Sequence, residues 1–276
     1  MIVVSAATGE YGRLVVERLL ETVHPSDVAV AVRDPAKADR WAGRGVAVRF
    51  GDYDDAASLE AAFGRTDQLL FISGSVAEDS SSRRVDQHRN VVDAATRADV
   101  GRIVYTSGLG ADVVEEGVLG EHHATERMIA ESGRRFTFLR HPIYHDFFVT
   151  PYLQQAVDAG ELTSNTGGRG LNTATRADLA EAAAAVLTKE EPNRGTYDFT
   201  GRLWSYPELA QVLTDVTGRP VLYRETDTDD GIVGMLGLAE FIRSGGFEYQ
   251  SPDLEHVLGH PPMSLRDTVE QALQAR

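Results

Sequence analysis

The chain has 276 residues, of which 42% are apolar, 25% charged and 8% aromatic. That is the composition of an ordinary globular protein, long enough to bury its own core. It contains no cysteine, which excludes disulfides, thiolate catalysis, zinc–thiolate sites and iron–sulfur clusters and leaves any redox chemistry to a borrowed cofactor. A formal charge of −15 repels polyanions and weighs against nucleic acid as a partner. The longest unbroken apolar run, Ala182 to Leu187, falls far short of the roughly 18–20 residues that cross a bilayer. The opening Met1-Ile2-Val3-Val4 lacks the basic region of a leader, so cytoplasmic residence without a membrane partner is expected.

Along the first 140 residues short β-branched runs alternate with helical patterns, the mark of parallel strands joined by crossover helices. The strand candidates are Ile2 to Val4, Val28 to Val32, Val46 to Phe50, Gln68 to Ile72, Arg102 to Tyr105 and Phe136 to Leu139. Six such strands predict an α/β fold with a doubly wound parallel sheet. Leu14, Val15, Val16, Leu19 and Leu20 recur at helical spacing, as do Val91, Val92, Ala94, Ala95 and Ala98, so each helix has one face to bury. Beyond Leu139 the pattern loosens. Gly160, Gly167, Gly168 and Gly170 punctuate a turn-rich stretch, and Arg176 to Thr188 reads as an alanine-rich helix. Further helices are predicted at Tyr206 to Thr217, opened by Ser205, and at Ser264 to Gln274, with Ser264 as the cap.

The segment from Val3 to Gly12, with Thr8, Gly9, Glu10, Tyr11 and Gly12 at its end, lies between the first strand and the first helix. Amides at a helix N-terminus, approached closely because glycine has no side chain, stabilise phosphate there. A full G-x-x-G-x-x-G pattern would place glycine where this chain has Ala6. A glycine-rich turn without ligand is the competing reading. The second strand ends at Arg33-Asp34-Pro35-Ala36-Lys37. An acidic residue there would accept from a ribose, whereas arginine suits a ribose 2′-phosphate. Asp34 before Pro35 fits a helix cap, which leaves Arg33 and Lys37 to read the phosphate or to be simply solvated cations. After the third strand, Asp52 and Tyr53 are placed to flank an adenine, while Asp54 and Asp55 suit a helix cap. Ser73, Gly74 and Ser75 follow the fourth strand as small residues where the chain would pass close to a cofactor.

Taken together, Ala7 to Gly12, Val32 to Ala38, Gly51-Asp52-Tyr53, Leu69 to Gly74, Gln87-His88-Arg89-Asn90-Val91-Val92 and Phe138-Leu139-Arg140 resemble the NmrA-like atypical short-chain dehydrogenases. The resemblance continues through His122 to Glu126, Tyr144 to Phe148, Thr175 to Asp178 and Glu208 to Leu213. It is similar to the subgroup of NADPH-dependent quinone oxidoreductases and triphenylmethane reductases. This implies a Rossmann-like NADP-binding domain over residues 1–140 and a smaller α/β region over 141–276, mainly substrate-binding, part of which returns to the first domain. It also implies NADPH as cofactor and a small quinone or related aromatic compound as substrate. Two departures stand out: Ala6 in the phosphate loop, and His141 where relatives usually carry asparagine.

A typical short-chain dehydrogenase uses Tyr-x-x-x-Lys, and none of the nine tyrosines here has lysine four positions later. Quinones and cationic dyes already accept hydride readily, so placement and exclusion of water would suffice. The candidates for proton transfer are His122, His141 and Tyr144. His122 and His123 open an apparent helix through Ile129, which gives a packing or capping role as the alternative. Tyr144, Phe147 and Phe148 are candidates to stack on a planar substrate, with a core stripe as the alternative. His141 with His145 and His256 with His260 have i,i+4 spacing, but Pro142 and Pro261-Pro262 disturb the helices they would need, and no metal site is expected. Arg176 and Asp178 are read as orienting a helix. The leading reading is an NADPH-dependent reductase. The alternative is a noncatalytic NADP(H)-binding redox sensor. Oligomeric state is not legible.

Overall fold

A computed structural model describes residues 1–74, 81–189, 195–227 and 239–274. The chain divides into two compact units, Met1–His141 with Leu179–Phe199, and Pro142–Asp178 with Thr200–Arg276.

In the first unit the strands β1 (Ile2–Ser5), β2 (Val28–Val32), β3 (Ala47–Phe50), β4 (Gln68–Phe71), β5 (Arg102–Gly108) and β6 (Arg135–His141) join a late strand, Thr196–Asp198. All pair in parallel, in the order Thr196–Asp198, β6, β5, β4, β1, β2, β3. The sheet therefore has seven strands where six were read. The seventh escaped because Thr-Tyr-Asp carries no apolar run: only Tyr197 is buried, and an edge strand needs no second apolar face. The central strands are continuous hydrophobic runs because helices cover both faces, as in β2, where every residue is buried.

The helices here are α1 (Glu10–Leu19), α2 (Asp39–Ala42), α3 (Ala56–Ala62), α4 (Ser81–Arg97) and α5 (Gly117–Glu131). The last begins five residues before His122, where the sequence suggested a start. Tyr11, Val15, Val16 and Leu19 form the buried stripe of α1. Asp55 opens α3 by accepting from the amides of Ala57 and Ser58, while Asp54 serves another purpose described below. One core joins Val3, Leu69 and Ile103 of the sheet to Val91, Ala95 and Ile129 of the helices, and each large apolar side chain so buried contributes about 1.5–3 kcal/mol. A buried ion pair fastens α5 to β6: Arg140 donates to both oxygens of Glu126 at 2.9 and 2.8 Å.

β1 lies between β2 and β4, so the connections run to one side after β1 and to the other after β4. Loops leaving those two strands part, and ligands of doubly wound sheets bind in the crevice this opens at the carboxyl ends.

In the second unit Ile143–Tyr144, Leu171–Ala174 and Leu203–Trp204 make a three-stranded sheet, and Glu161–Ser164 pairs with Leu222–Glu225. Helices Leu153–Ala159, Tyr206–Thr217 and Leu265–Gln274 enclose a core that includes Leu162, Trp204 and Leu213. Ser205 caps Tyr206–Thr217, and Ser264 accepts from the Asp267 amide at 3.1 Å just ahead of the final helix. Among the described residues no helix is long and apolar enough to cross a membrane.

Candidate functional site

Between β1 and α1 the chain turns over Ala6, Ala7, Thr8 and Gly9. Gly9 occupies the N-cap with no side-chain cap, and the first helical amide bond runs from Arg13 to Gly9 at 2.9 Å. The positive end of the α1 dipole thus stands at this loop, beside the reversal of strand order. A Cβ on Gly12 would stand 2.8 Å from the Ala6 carbonyl oxygen and from the Ala7 Cα, so only glycine lets the loop lie this close to the helix. Tyr11 turns inward. Its hydroxyl donates to the Leu179 carbonyl at 3.2 Å, and its ring meets His141 edge-on at 5.2 Å between centroids.

Ala6 takes φ of +48°, so the interruption of the glycine pattern falls at a left-handed position. A side chain there costs roughly 1–2 kcal/mol, partly offset by the added unfolded-state freedom of glycine, about 0.4–1 kcal/mol. Ala6→Gly is therefore expected to stabilise the protein by up to about 1 kcal/mol in urea denaturation. A clear loss of stability would show that the Ala6 methyl is needed for packing.

At the end of β2 Arg33 is exposed, and its charge acts on Asp54. Asp34 accepts from the Ala36 amide at 3.2 Å and opens the short helix that Pro35 begins. Lys37 lies 3.5 Å from Asp34. Asp52 accepts from the Asp54 amide at 3.1 Å, and its own amide donates to Ser58 at 3.0 Å. Tyr53 turns into the protein rather than toward the surface. Its hydroxyl donates to the Ile72 carbonyl at 2.7 Å and meets Ser5 Oγ at 2.6 Å. Ser5 in turn accepts from the Ile72 amide at 3.0 Å, so three strand ends are tied at one point. The Ser73 amide donates to Thr106 at 2.9 Å. Gly74 follows it, and Ser75 lies outside the described residues.

His122 is buried with both ring nitrogens engaged. Arg84, which can only donate, reaches Nε2 at 3.1 Å, so Nδ1 carries the proton toward the Tyr105 hydroxyl at 2.8 Å. Burial, reinforced by the Arg84 charge, holds its pKa well below the ordinary histidine value. His141 is buried between Tyr11 and Phe199, and burial lowers its pKa to about 3. Both imidazoles are neutral at pH 7. The signal missed in the sequence was the company they keep: Arg84 and Tyr105 lie far from His122 along the chain and were not singled out.

In the second unit Tyr144 and Phe147 lie nearly parallel, 6.3 Å apart at an interplanar angle of 17°. The Arg176 guanidinium sits 4.7 Å from the first ring and 5.5 Å from the second, held there by an ion pair with Asp146. Burial pushes the Tyr144 hydroxyl up to about 12, so it keeps its proton at neutral pH. Phe147 is 40% exposed, whereas Phe148 is 1% exposed and belongs to the core. Phe148 thus offers no face to a substrate in this structure, because the helix His145–Phe148 turns each side chain about 100° from the last and brings Phe148 onto the core. Asp178 accepts from Thr175 and from the Met263 amide at 3.0 Å, fixing the start of the helix Arg176–Thr188. Among the described residues no group of three metal-ligating side chains forms.

A parallel sheet whose strand order reverses beside an uncapped helix N-terminus places the protein among Rossmann-like nucleotide-binding α/β proteins. A family profile described as NAD(P)H-binding matches residues 6–190. Quinone oxidoreductase 2 of Escherichia coli is 36% identical over 283 residues, covering 98% of this chain and 97% of the relative. The NmrA-like family domain-containing oxidoreductase flvB of Aspergillus flavus is 30% identical over 291 residues, covering 98% and 94%. The structure of Citrobacter sp. triphenylmethane reductase complexed with NADP(H) superposes with a TM-score of 0.92 at 35% identity, covering 99% of this chain and 100% of that one. The chain belongs to the NAD(P)H-binding NmrA-like family of oxidoreductases.

Proposed function

We propose that this protein is an NADPH-dependent oxidoreductase that transfers hydride to a quinone or a related conjugated aromatic acceptor. The observation that carries the reading is the uncapped N-terminus of α1 together with solvent-facing Arg33 at the end of the adjacent β2. A dinucleotide with a 2′-phosphate needs both features. The relatives' names, a quinone oxidoreductase and a triphenylmethane reductase solved with NADP(H), supply the acceptor class.

When bound, the dinucleotide supplies the hydride. The backbone from Thr8 to Gly12 would hold its diphosphate, Arg33 with Lys37 would hold the 2′-phosphate, Asp52 would lie beside the adenine, and Ser73-Gly74 would keep the chain slim next to it. Tyr144 and Phe147 hold the flat acceptor, with Arg176 fixing their rings. His122 acts through position, because both its nitrogens already have partners. His141 stays neutral and forms wall. The proton that accompanies the hydride comes from solvent, and the acceptor's own electrophilicity makes a Tyr–Lys pair unnecessary. The acidic surface suits a cytoplasmic enzyme that works without nucleic acid or membrane.

NADPH deuterated separately on each C4 face, offered with quinones and triphenylmethane dyes, tests this. Deuterium is expected to pass to the acceptor from one face and stay in the cofactor from the other. Tyr144→Ala is expected to raise KM for the acceptor by up to about tenfold with NADPH affinity nearly unchanged. Tight NADPH binding with no acceptor reduced above the protein-free rate would replace this reading with that of a redox sensor.

A further inference from the structure

Polar side chains of α4, some exposed and some buried, reach loops at the carboxyl edge of the sheet. Arg83 donates to Asp54 at 2.9 Å, Gln87 donates to both Asp54 oxygens at 3.0 Å, and Asn90 donates to the Tyr53 carbonyl at 2.9 Å. One turn around, Arg84 Nε donates to the Gly74 carbonyl at 2.9 Å, while His88 Nε2 accepts from the Gly74 amide at 3.0 Å. Both polar groups of one glycine are thus taken by two side chains four residues apart on a helix, the spacing that puts them on the same face. The two side chains are themselves braced from α5. Arg84 pairs with Glu121, both nearly buried, and His88 Nδ1 meets Thr125 Oγ1 at 2.8 Å. Thr125 donates its own proton to the Glu121 carbonyl at 2.7 Å, so His88 Nδ1 carries the hydrogen and Nε2 is left as a pure acceptor. His88 is 0% exposed; it has been fixed as a neutral, single-tautomer acceptor aimed at one backbone amide.

Glycine is the residue least able to hold its own conformation, and Gly74 lies three residues beyond the end of β4, the strand adjacent to β1 at the sheet's reversal. We propose that His88 and Arg84 are positioning residues for the dinucleotide: by fixing the Gly74 peptide they hold Ser73-Gly74, just after β4, in their binding shape before ligand arrives. The inference rests on the functional reading above, which places the cofactor against this edge. A preformed loop avoids the ordering cost on binding, so its loss appears in affinity rather than in chemistry.

Two substitutions separate this from a packing role. In His88→Gln the side-chain oxygen reaches the position of Nε2 and still accepts from Gly74. In His88→Asn the amide reaches only the position of Nδ1, keeping Thr125 and leaving the Gly74 amide without its acceptor. Fluorescence titration is expected to show NADPH Kd raised about tenfold in H88N. H88Q should stay within about threefold of the parent. KM for NADPH should follow Kd, with kcat toward 1,4-benzoquinone at saturating NADPH nearly constant. Should H88N melt below the assay temperature, Arg84→Lys makes the companion measurement: it retains the charge facing Glu121 and removes the Nε donor to Gly74 together with the contact to His122, so its kcat at saturating NADPH is read beside Kd. Parent-like Kd in H88N, or in R84K where H88N does not fold, or equal losses in H88N and H88Q, would overturn the clamp. A parent that fails to bind NADPH would instead overturn the functional reading, so the two failures are distinguishable.

Discussion

Replacing Arg33 by alanine is expected to weaken NADPH binding by about 10- to 100-fold while leaving NADH affinity nearly unchanged. The guanidinium stands exposed at the end of β2, and its charge acts on Asp54, while it stays open to a ligand phosphate. Lys37, the nearest other cation in sequence, is 72% exposed and already 3.5 Å from Asp34, so it supplements Arg33 without replacing it. A bidentate contact between a planar guanidinium and a phosphate supplies most of the discrimination, because NADH offers only a ribose hydroxyl at that point. The measurement is a pair of fluorescence titrations on parent and variant. A parent that binds both cofactors equally, or a variant that keeps its preference, would remove Arg33 from the phosphate site.

Mild acid is the second large expected effect. His88 and His141 are buried as neutral imidazoles with pKa values lowered to about 3 by burial, with Arg84 adding to the effect at His88. In the unfolded chain each takes up a proton near pH 6.5, while in the folded protein each remains neutral down to about 3. Stability contributed by this difference is therefore complete above about pH 6.5 and is lost progressively as pH falls toward 3. Each group tilts the stability curve by about 1.4 kcal/mol per pH unit in that window. The pair alone costs about 3 kcal/mol per unit, a large share of a typical total of about 5–15 kcal/mol. Urea denaturation at pH 7.5, 6 and 5 is expected to show the midpoint falling steeply below pH 6.5. His141→Gln should flatten the slope by about one proton's worth. A midpoint constant from pH 7.5 to 5 would mean that these histidines are protonated in the folded state.

Much of the fold was legible because its signals are local. Parallel strands buried on both faces appear as uninterrupted β-branched runs, and Ser205, Asp34 and Ser264 announce helix starts whose bonds form between residues two or three positions apart. The strand Thr196–Asp198 was not legible, since an edge strand of polar residues acquires its conformation from pairing with β6, a distant segment. The resemblance carried the cofactor class for the same reason that it is compact: loop, glycine spacing and the residue after β2 sit within the first 40 residues.

The side-chain roles required the tertiary structure. Tyr53 reads as a ring beside an adenine but is drawn inward by Ser5 and Ile72. Phe147 and Phe148 are equivalent as letters, and only the turn of the helix His145–Phe148 sends one outward and the other into the core. His88 and His122 look alike as titratable groups, yet the tautomer of His88 is set by Thr125 and Gly74 and that of His122 by Arg84 and Tyr105, each from a segment other than the histidine's own. Sequence by itself determined six of the sheet's seven strands, their crossovers and the position of the glycine loop after the first strand, because hydrophobic periodicity and capping act over a few residues. Which polar groups are buried, which protons they hold and which loops they fix was decided only on folding, since hydrogen bonds and desolvation depend on neighbours that the chain order does not place together.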